Sequence, residues 1–154
     1  MVTERHMGRM KLIIPGAPVS QKRARIFQAG KRTVAWDPSS KEKENIRNII
    51  CSQMNGEFFA KSGPLFDAGS DITVFFRFYM PIPKSWPKSK IKRFKEIPHL
   101  VKYDIDNMIK AILDAMNDLI YKDDSCVTCL SACKEYSDSP RTEIDVHLTQ
   151  KDQS

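Results

Sequence analysis

Residues 102–125 read KYDIDNMIKAILDAMNDLIYKDDS. Apolar residues recur at three- and four-residue steps: Ile105, Met108, Ile109, Ile112, Leu113 and Met116. That period predicts an amphipathic helix over 105–118. At about 100° per residue, Asp106, Lys110, Asp114 and Asn117 fall within about 80° of one another, opposite the apolar stripe. Asp104 stands just before the helix, where a carboxylate can cap it and still reach the same region. Asp123 and Asp124 follow after a short turn containing Tyr121. An antiparallel return would bring them beside the sheet, near Asp104 and Asp106.

A helix with one apolar stripe needs a surface to cover, and the rest of the chain offers strands. Asp71 to Met80, with the run ITVFFRFY, is rich in β-branched and aromatic residues and is the strongest strand. Met10–Ile14 is a short strand ended by Pro15-Gly16. A basic loop over 17–33 follows, with a second short strand at Val34–Trp36. Asp37-Pro38-Ser39-Ser40 carries helix-start chemistry for a helix to about Met54, with Ile46, Ile49 and Ile50 on its apolar face. Residues 56–70 read as connector. Trp86-Pro87 opens a short basic helix to about Glu96. Strands over about Cys126–Tyr136 and Thr142–Leu148 end the pattern. This order predicts an α+β fold: a mixed, mostly antiparallel sheet with helices packed on it, in one small domain. The domain is expected over 10–150, with residues 1–9 as a flexible N-terminal extension. Phe75, Phe76, Phe78 and Tyr79 are expected in the sheet core and at its edge.

The 154 residues suffice for one domain with a real core. No apolar run approaches the roughly 20 residues of a membrane span. Met1–Met10 lacks the apolar centre of a signal peptide. The four cysteines do not complete a standard zinc spacing: Cys126 and Cys129 would point to opposite faces of a strand, so reduced thiols are expected.

The net charge is +6, which alone favours a polyanion only slightly. Its distribution says more. Lys22, Arg23, Arg25, Lys31 and Arg32 lie in one stretch free of acidic residues. Lys84, Lys88, Lys90, Lys92, Arg93, Lys95 and Lys102 form a second, opposed only by Glu96. Two basic stretches around an acidic centre suit nucleic acid held over divalent metal. Carboxylates normally repel phosphate, whereas magnesium takes a few carboxylates together with water and phosphate. Such an ion activates water and neutralises charge on a phosphodiester under attack, and a nearby Lys can stabilise the same charge. Asp104, Asp106, Asp124 and Lys110 are the right parts. A solvated polar face on an amphipathic helix explains the same spacing, and spacing alone leaves the two readings about even. Asp114 has a structural alternative, holding Lys110 by an i,i+4 contact. Trp86 can stack on a base or pack against the fold. His99 lies beside the acidic segment, but a loop histidine more often has no chemical role, and His6 and His147 look incidental.

The segment resembles one known family, the RusA-type Holliday junction resolvases of bacteria and their prophages. The resemblance rests on Asp104-Ile-Asp106-Asn107-Met-Ile-Lys110-Ala-Ile-Leu-Asp114-Ala-Met-Asn117 and on Tyr121-Lys-Asp123-Asp124-Ser-Cys-Val127. The opening Pro15-Gly16-Ala-Pro18-Val-Ser-Gln-Lys-Arg23-Ala-Arg25 and the ending Pro140-Arg-Thr-Glu143-Ile-Asp-Val agree. Similarity covers nearly the whole chain and is strongest over 98–127. It implies a magnesium-dependent, dimeric endodeoxyribonuclease, with manganese able to substitute, that resolves four-way DNA junctions by paired symmetric nicks in recombination and repair. The setting implied is the cytoplasm of a bacterial or phage-infected cell.

By motif match, Asp104, Asp106 and Asp124 would be the metal carboxylates, with Asp123 at the adjacent position, and Lys110 the catalytic lysine. Asn107 and Asp114 would support them. Lys22, Arg23, Arg25 and Lys102 would bind DNA, as would Lys90 and Arg93 on charge alone. Tyr103 stands where the family often has Pro, and Gln21 where it usually has Lys; both departures bear on DNA affinity more than on chemistry. The alternative is a basic protein that binds junctions without cutting, and a carboxylate set beside phosphate argues against it. A phosphotransferase with a covalent Asp ranks low, because the residues before Asp104 are mostly polar rather than a buried apolar strand.

Overall fold

The computed structural model describes residues 8–54 and 63–149. Four strands form the main sheet: β1 (Arg9–Pro15), β4 (Ile72–Pro81), β5 (Val127–Ser137) and β6 (Arg141–Leu148), in the order β1-β6-β4-β5. β6 is antiparallel to both of its neighbours, and β4–β5 is parallel. The sheet is thus mixed and mostly antiparallel, as the sequence predicts.

Alternation along the strands decides which face is covered. Met10, Leu12 and Ile14 of β1, Val74, Phe76, Phe78 and Met80 of β4, and Ile144 and Val146 of β6 are buried. The intervening Lys11, Phe75 and Arg77 are exposed. The covered face meets α1 (Ser40–Gln53), through Ile46 and Ile50, and α3 (Ile105–Met116), through Met108, Ile112, Ala115 and Met116. Period two on the sheet and 3.6 on the helices therefore produce one two-layer core.

The sequence and the structure differ at four places. The second half of the expected basic loop is a hairpin, β2 (Arg25–Ala29) paired with β3 (Arg32–Trp36) as a separate two-stranded sheet. Its two-residue turn has Gly30 at φ +65° with no positive φ at Lys31, the pattern of a type II′ hairpin. The expected basic helix breaks into α2 (Lys88–Ile91) and a 3₁₀ turn at Phe94–Glu96. None of the α2 residues is buried, so packing does not extend it. Helix α3 stops at Met116 rather than 118, because Asn117 is extended and Asp118 adopts φ 58°. Cys126 belongs to a 3₁₀ turn (Asp124–Cys126), not to β5. The expected extension and its His6 lie largely outside the described residues, as does much of the 56–70 connector.

Candidate functional site

Helix α3 sits between the sheet and a basic strap formed by residues 17–25. The Gln21 N–H donates to the Asn107 carbonyl at 3.0 Å, which ties the strap to the first turn of α3. The next N–H, of Lys22, donates to Ser39 Oγ at 2.7 Å. Ser39 occupies the N-cap position of α1, yet its fully buried hydroxyl caps nothing and holds the strap instead. The backbone of Gln21 and Lys22 is therefore tied beside the helix that carries Asp106 and Lys110, and the exposed Arg23 and Arg25 follow it in the chain. Asn107 supports the site through its backbone carbonyl.

A second link joins the same elements. Lys43 on α1 reaches Asp37 Oδ2 at 2.6 Å and Asp114 Oδ2 at 3.0 Å. With its amide oriented to suit both neighbours, Gln21 donates to Asp114 and accepts from Lys43, each at 3.3 Å. Asp114 is thus a structural ligand of Lys43, correcting the expected contact with Lys110. Burial works against the charge on Lys43. Its hydrogen bonds to Asp37 and Asp114 outweigh this and hold its ammonium above the ordinary lysine range. The Lys43 hydrogen bond, then the Ser39 N–H, hold Asp37 below the usual carboxylate range.

The sign of the pH dependence follows. Asp37 contributes stability that is present above about pH 4 and lost as pH falls through its depressed pKa. Lys43 contributes stability that is present below its ordinary value and lost as pH rises through its raised pKa. Lys43→Met is expected to lower stability near pH 7 by about 1–2 kcal/mol, discounted for the partial exposure of both carboxylates. That is a fall in Tm of roughly 3–8 °C. Thermal melts should show the gap between variant and wild type narrowing as pH falls below about 4 and Asp37 protonates. A gap that stays constant across this range would remove the ion pair from the explanation.

Asp104 occupies the N-cap position of α3 but makes no side-chain cap hydrogen bond, contrary to the expected cap. Asp104, Asp106 and Lys110 are exposed and Asp124 is half-buried. None of the four forms an ion pair among the described residues. The backbone before Asp104 is held from β5: Lys134 Nζ donates to the carbonyls of Val101 at 3.0 Å and Tyr103 at 2.8 Å. Nearby, His99 is buried and tilted against Tyr136 with ring centroids 4.5 Å apart. Burial, then the charge on Lys134, holds its imidazole below the ordinary histidine range. Trp86 packs on Tyr136 at 4.7 Å and carries Lys90 Nζ 4.0 Å above its ring, so packing is its role here.

Beyond the helix, the buried Tyr121 donates its phenol O–H to the Leu113 carbonyl at 2.9 Å. Burial, then the negative charges of Asp124, Asp114 and Asp123, pushes that phenol far above the usual tyrosine range. Those three carboxylates share one electrostatic neighbourhood around Tyr121. Asp106 and Asp114 are eight residues apart, about 12 Å along the helix axis. The expected return of Asp124 toward Asp104 and Asp106 does not close a cage: among the described residues no three His, Cys, Asp or Glu side chains converge to hold a cation. Magnesium does not need three, since it is usually held by one or two carboxylates together with water and substrate phosphate. Asp104 and Asp106, hard oxygen donors without ion pairs, fit that requirement in kind. The two neighbours Asp123 and Asp124 differ. The Ser125 side chain lowers the pKa of Asp123, which also accepts the Ser125 N–H at 3.2 Å, whereas the Asp124 side chain makes no hydrogen bond among the described residues.

The basic residues also separate. Arg23 and Lys102 are exposed and make no ion pair among the described residues, and Lys22 lies 3.5 Å from Glu42. Arg93 is paired with Glu96 at 2.7 Å. Sequence reasoning missed Lys43, Lys134 and the side chain of Gln21 as residues that hold the site. Nothing local marks their link to α3 or to the segment before it, because those partners lie far away in the chain.

Two comparisons bear on this arrangement. The family model described as Endodeoxyribonuclease RusA matches residues 15–147. The chain is also 36% identical over 140 residues to the uncharacterized protein YqaN of Bacillus subtilis (strain 168), covering 88% of this chain and 93% of that relative.

Proposed function

We propose, for a chain that belongs to the RusA endodeoxyribonuclease family and is therefore a hydrolase of DNA phosphodiester bonds acting on branched junctions, that it resolves four-way junctions by paired symmetric nicks in a magnesium-dependent reaction. The observation that carries this reading is the Gln21–Asn107 bond, which ties a basic strap to the helix of Asp106 and Lys110; among the described residues Arg23 and Arg25 of the strap and the exposed Asp104 and Asp106 form no ion pair. A strap of this kind holds a DNA backbone, and such carboxylates beside it suit a cation shared with phosphate.

Asp104 and Asp106 would hold magnesium, or manganese in its place, with Asp124 joining from its turn and Asp123 the weaker candidate. When bound, the ion supplies an activated water and neutralises charge on the phosphate. Lys110 lies one turn after Asp106 and places its ammonium to stabilise charge on the scissile phosphate. Lys22, Arg23, Arg25 and Lys102 position the backbone of the junction, and Lys134 keeps the peptide before Asp104 in place. A role in recombination and repair, in the cytoplasm of a bacterium or of a cell carrying its phage, accords with this chemistry. Among the described residues no helix is long and apolar enough to cross a membrane.

The test is one incubation of the protein with a labelled synthetic four-way junction, with and without magnesium. Paired nicks in opposing strands only with metal support the reading, and binding without cutting in either condition rejects it. The two nicks call for two related sites, so the active species should be a homodimer with a two-fold axis. Sedimentation showing only an active monomer would reject this part.

The strap should supply affinity. Charge reversal at Arg23 and Arg25 is expected to flatten the salt dependence of junction binding by roughly one unit per lost phosphate contact. Reversal at Lys90 and Arg93 should do less, because Lys90 rests on Trp86 and Arg93 on Glu96. Affinity and salt slope left unchanged by both reversals would show that the DNA runs elsewhere.

A further inference from the structure

Every residue of the β2–β3 hairpin is exposed. Its exposed residues include Ile26 at 71%, Phe27 at 52%, Val34 at 37% and Trp36 at 51%. The register sets Phe27 opposite Val34 and Arg25 opposite Trp36, so these four share one face of the ribbon. The Arg25 guanidinium lies 5.8 Å from the centre of the Trp36 ring. A two-stranded hairpin is at best marginal in water without a surface to pack on. Exposed apolar side chains grouped in this way mark a binding surface.

The hairpin is also anchored at both ends. On its N-terminal side, Gln21 and Lys22 bind Asn107 and Ser39. On its C-terminal side, Asp37 is held by Lys43, which also grips Asp114 of α3. The ribbon therefore projects from the candidate site and is not a remote decoration. Its charge selects the partner. From Gly16 to Trp36 there is no acidic residue, while Lys22, Arg23, Arg25, Lys31 and Arg32 are all cationic. A partner must offer negative charge and flat apolar faces at once. Unpaired DNA bases on their phosphate backbone do so, because every base has a stacking face.

We infer that this hairpin enters the branch point of the junction, where Phe27 and Trp36 stack on unpaired bases and Arg25, Lys31 and Arg32 take the flanking phosphates. The inference rests on the junction-cutting reading and specifies how that site distinguishes a branch from linear duplex.

The experiment places 2-aminopurine at the branch point of a four-way junction, or in one arm as a control, and measures its fluorescence with the full chain in EDTA. The base brightens when unpaired and dims when stacked on an aromatic ring. A Phe27→Ser/Trp36→Ser variant should give a complex at least about threefold brighter at the branch point and unchanged in the arm. Its junction affinity should fall about tenfold to a hundredfold, from the loss of base stacking. Affinity for linear duplex and the salt slope should hold, because the cations remain. Phe27→Tyr/Trp36→Phe should restore the wild-type signal. Both positions are exposed, so an unchanged Tm is expected and checks the fold.

A double-serine complex identical to wild type in brightness and affinity overturns the inference, while wild-type cutting with magnesium leaves the junction reading standing. A variant that becomes monomeric in sedimentation also overturns it and makes the hairpin a contact between copies. A wild type that fails to distinguish junction from duplex rejects the junction reading and the inference together.

Discussion

Asp106→Asn is expected to cut a four-way junction roughly 10²–10³ more slowly than wild type while binding it as well or better. The substitution keeps the side-chain volume and removes the charge of one proposed metal ligand. A hard cation between carboxylate and phosphate loses affinity, and with it the electrostatic stabilisation worth about 10²–10³ in rate for a single well-placed group. Stability should hardly change. Asp106 is exposed in the first turn of α3, where a carboxylate contributes about 0.3–1 kcal/mol through the helix dipole. Removing negative charge beside phosphate also relieves repulsion when metal is absent. The measurement is a single-turnover cutting rate beside a binding isotherm in EDTA. Cutting at the wild-type rate would show that Asp106 is not a metal ligand.

Lys110→Ala should lose roughly 10²–10³ in cutting rate with folding and binding nearly intact. Lys110 is exposed and makes no ion pair among the described residues, so nothing in the fold depends on its charge. Surface substitutions of that kind stay within about 0.5 kcal/mol. The test is the combination of rate and melt. A fall in Tm without a selective fall in rate would make Lys110 structural. The contrast with Lys43 is instructive: both are lysines beside Asp114 in sequence or in space, yet Lys43 holds two carboxylates and Lys110 none.

The strands and α3 were legible because burial writes a period into the sequence. Phe76, Phe78 and Met80 alternate along β4, and Met108, Ile112 and Met116 step along one helix stripe. The hairpin was legible only in part: Val34–Trp36 reads as a strand, but both strands are wholly exposed and leave no alternation of burial, so Arg25–Ala29 reads as loop. Only Gly30 marked its turn. The short basic helix failed for a related reason: charge without an apolar stripe does not fix a helix length. In the candidate site, the residue types and the polar face of α3 could be read, since they lie within one segment. Partners could not. The expected pairing of Asp114 with Lys110 was a local guess that Lys43, 71 residues away, displaces. Lys134, 31 residues beyond Tyr103, is invisible in the same way.

The place of β6 has a consequence for how the molecule comes into being. Among the described strands β6 is the last synthesised, yet it lies inside the sheet, between β1 and β4. β1, the first to emerge, finds its partner only in residues 141–148. The strap and α1, which follow β1 directly, therefore wait on the far end of the chain for their foundation. Long-range pairing of this kind is slow, and a growing chain cannot complete it. Cations and carboxylates come into register only after translation has passed Leu148. A ribosome stalled short of Arg141 would release a polypeptide with two exposed strand edges and no formed site.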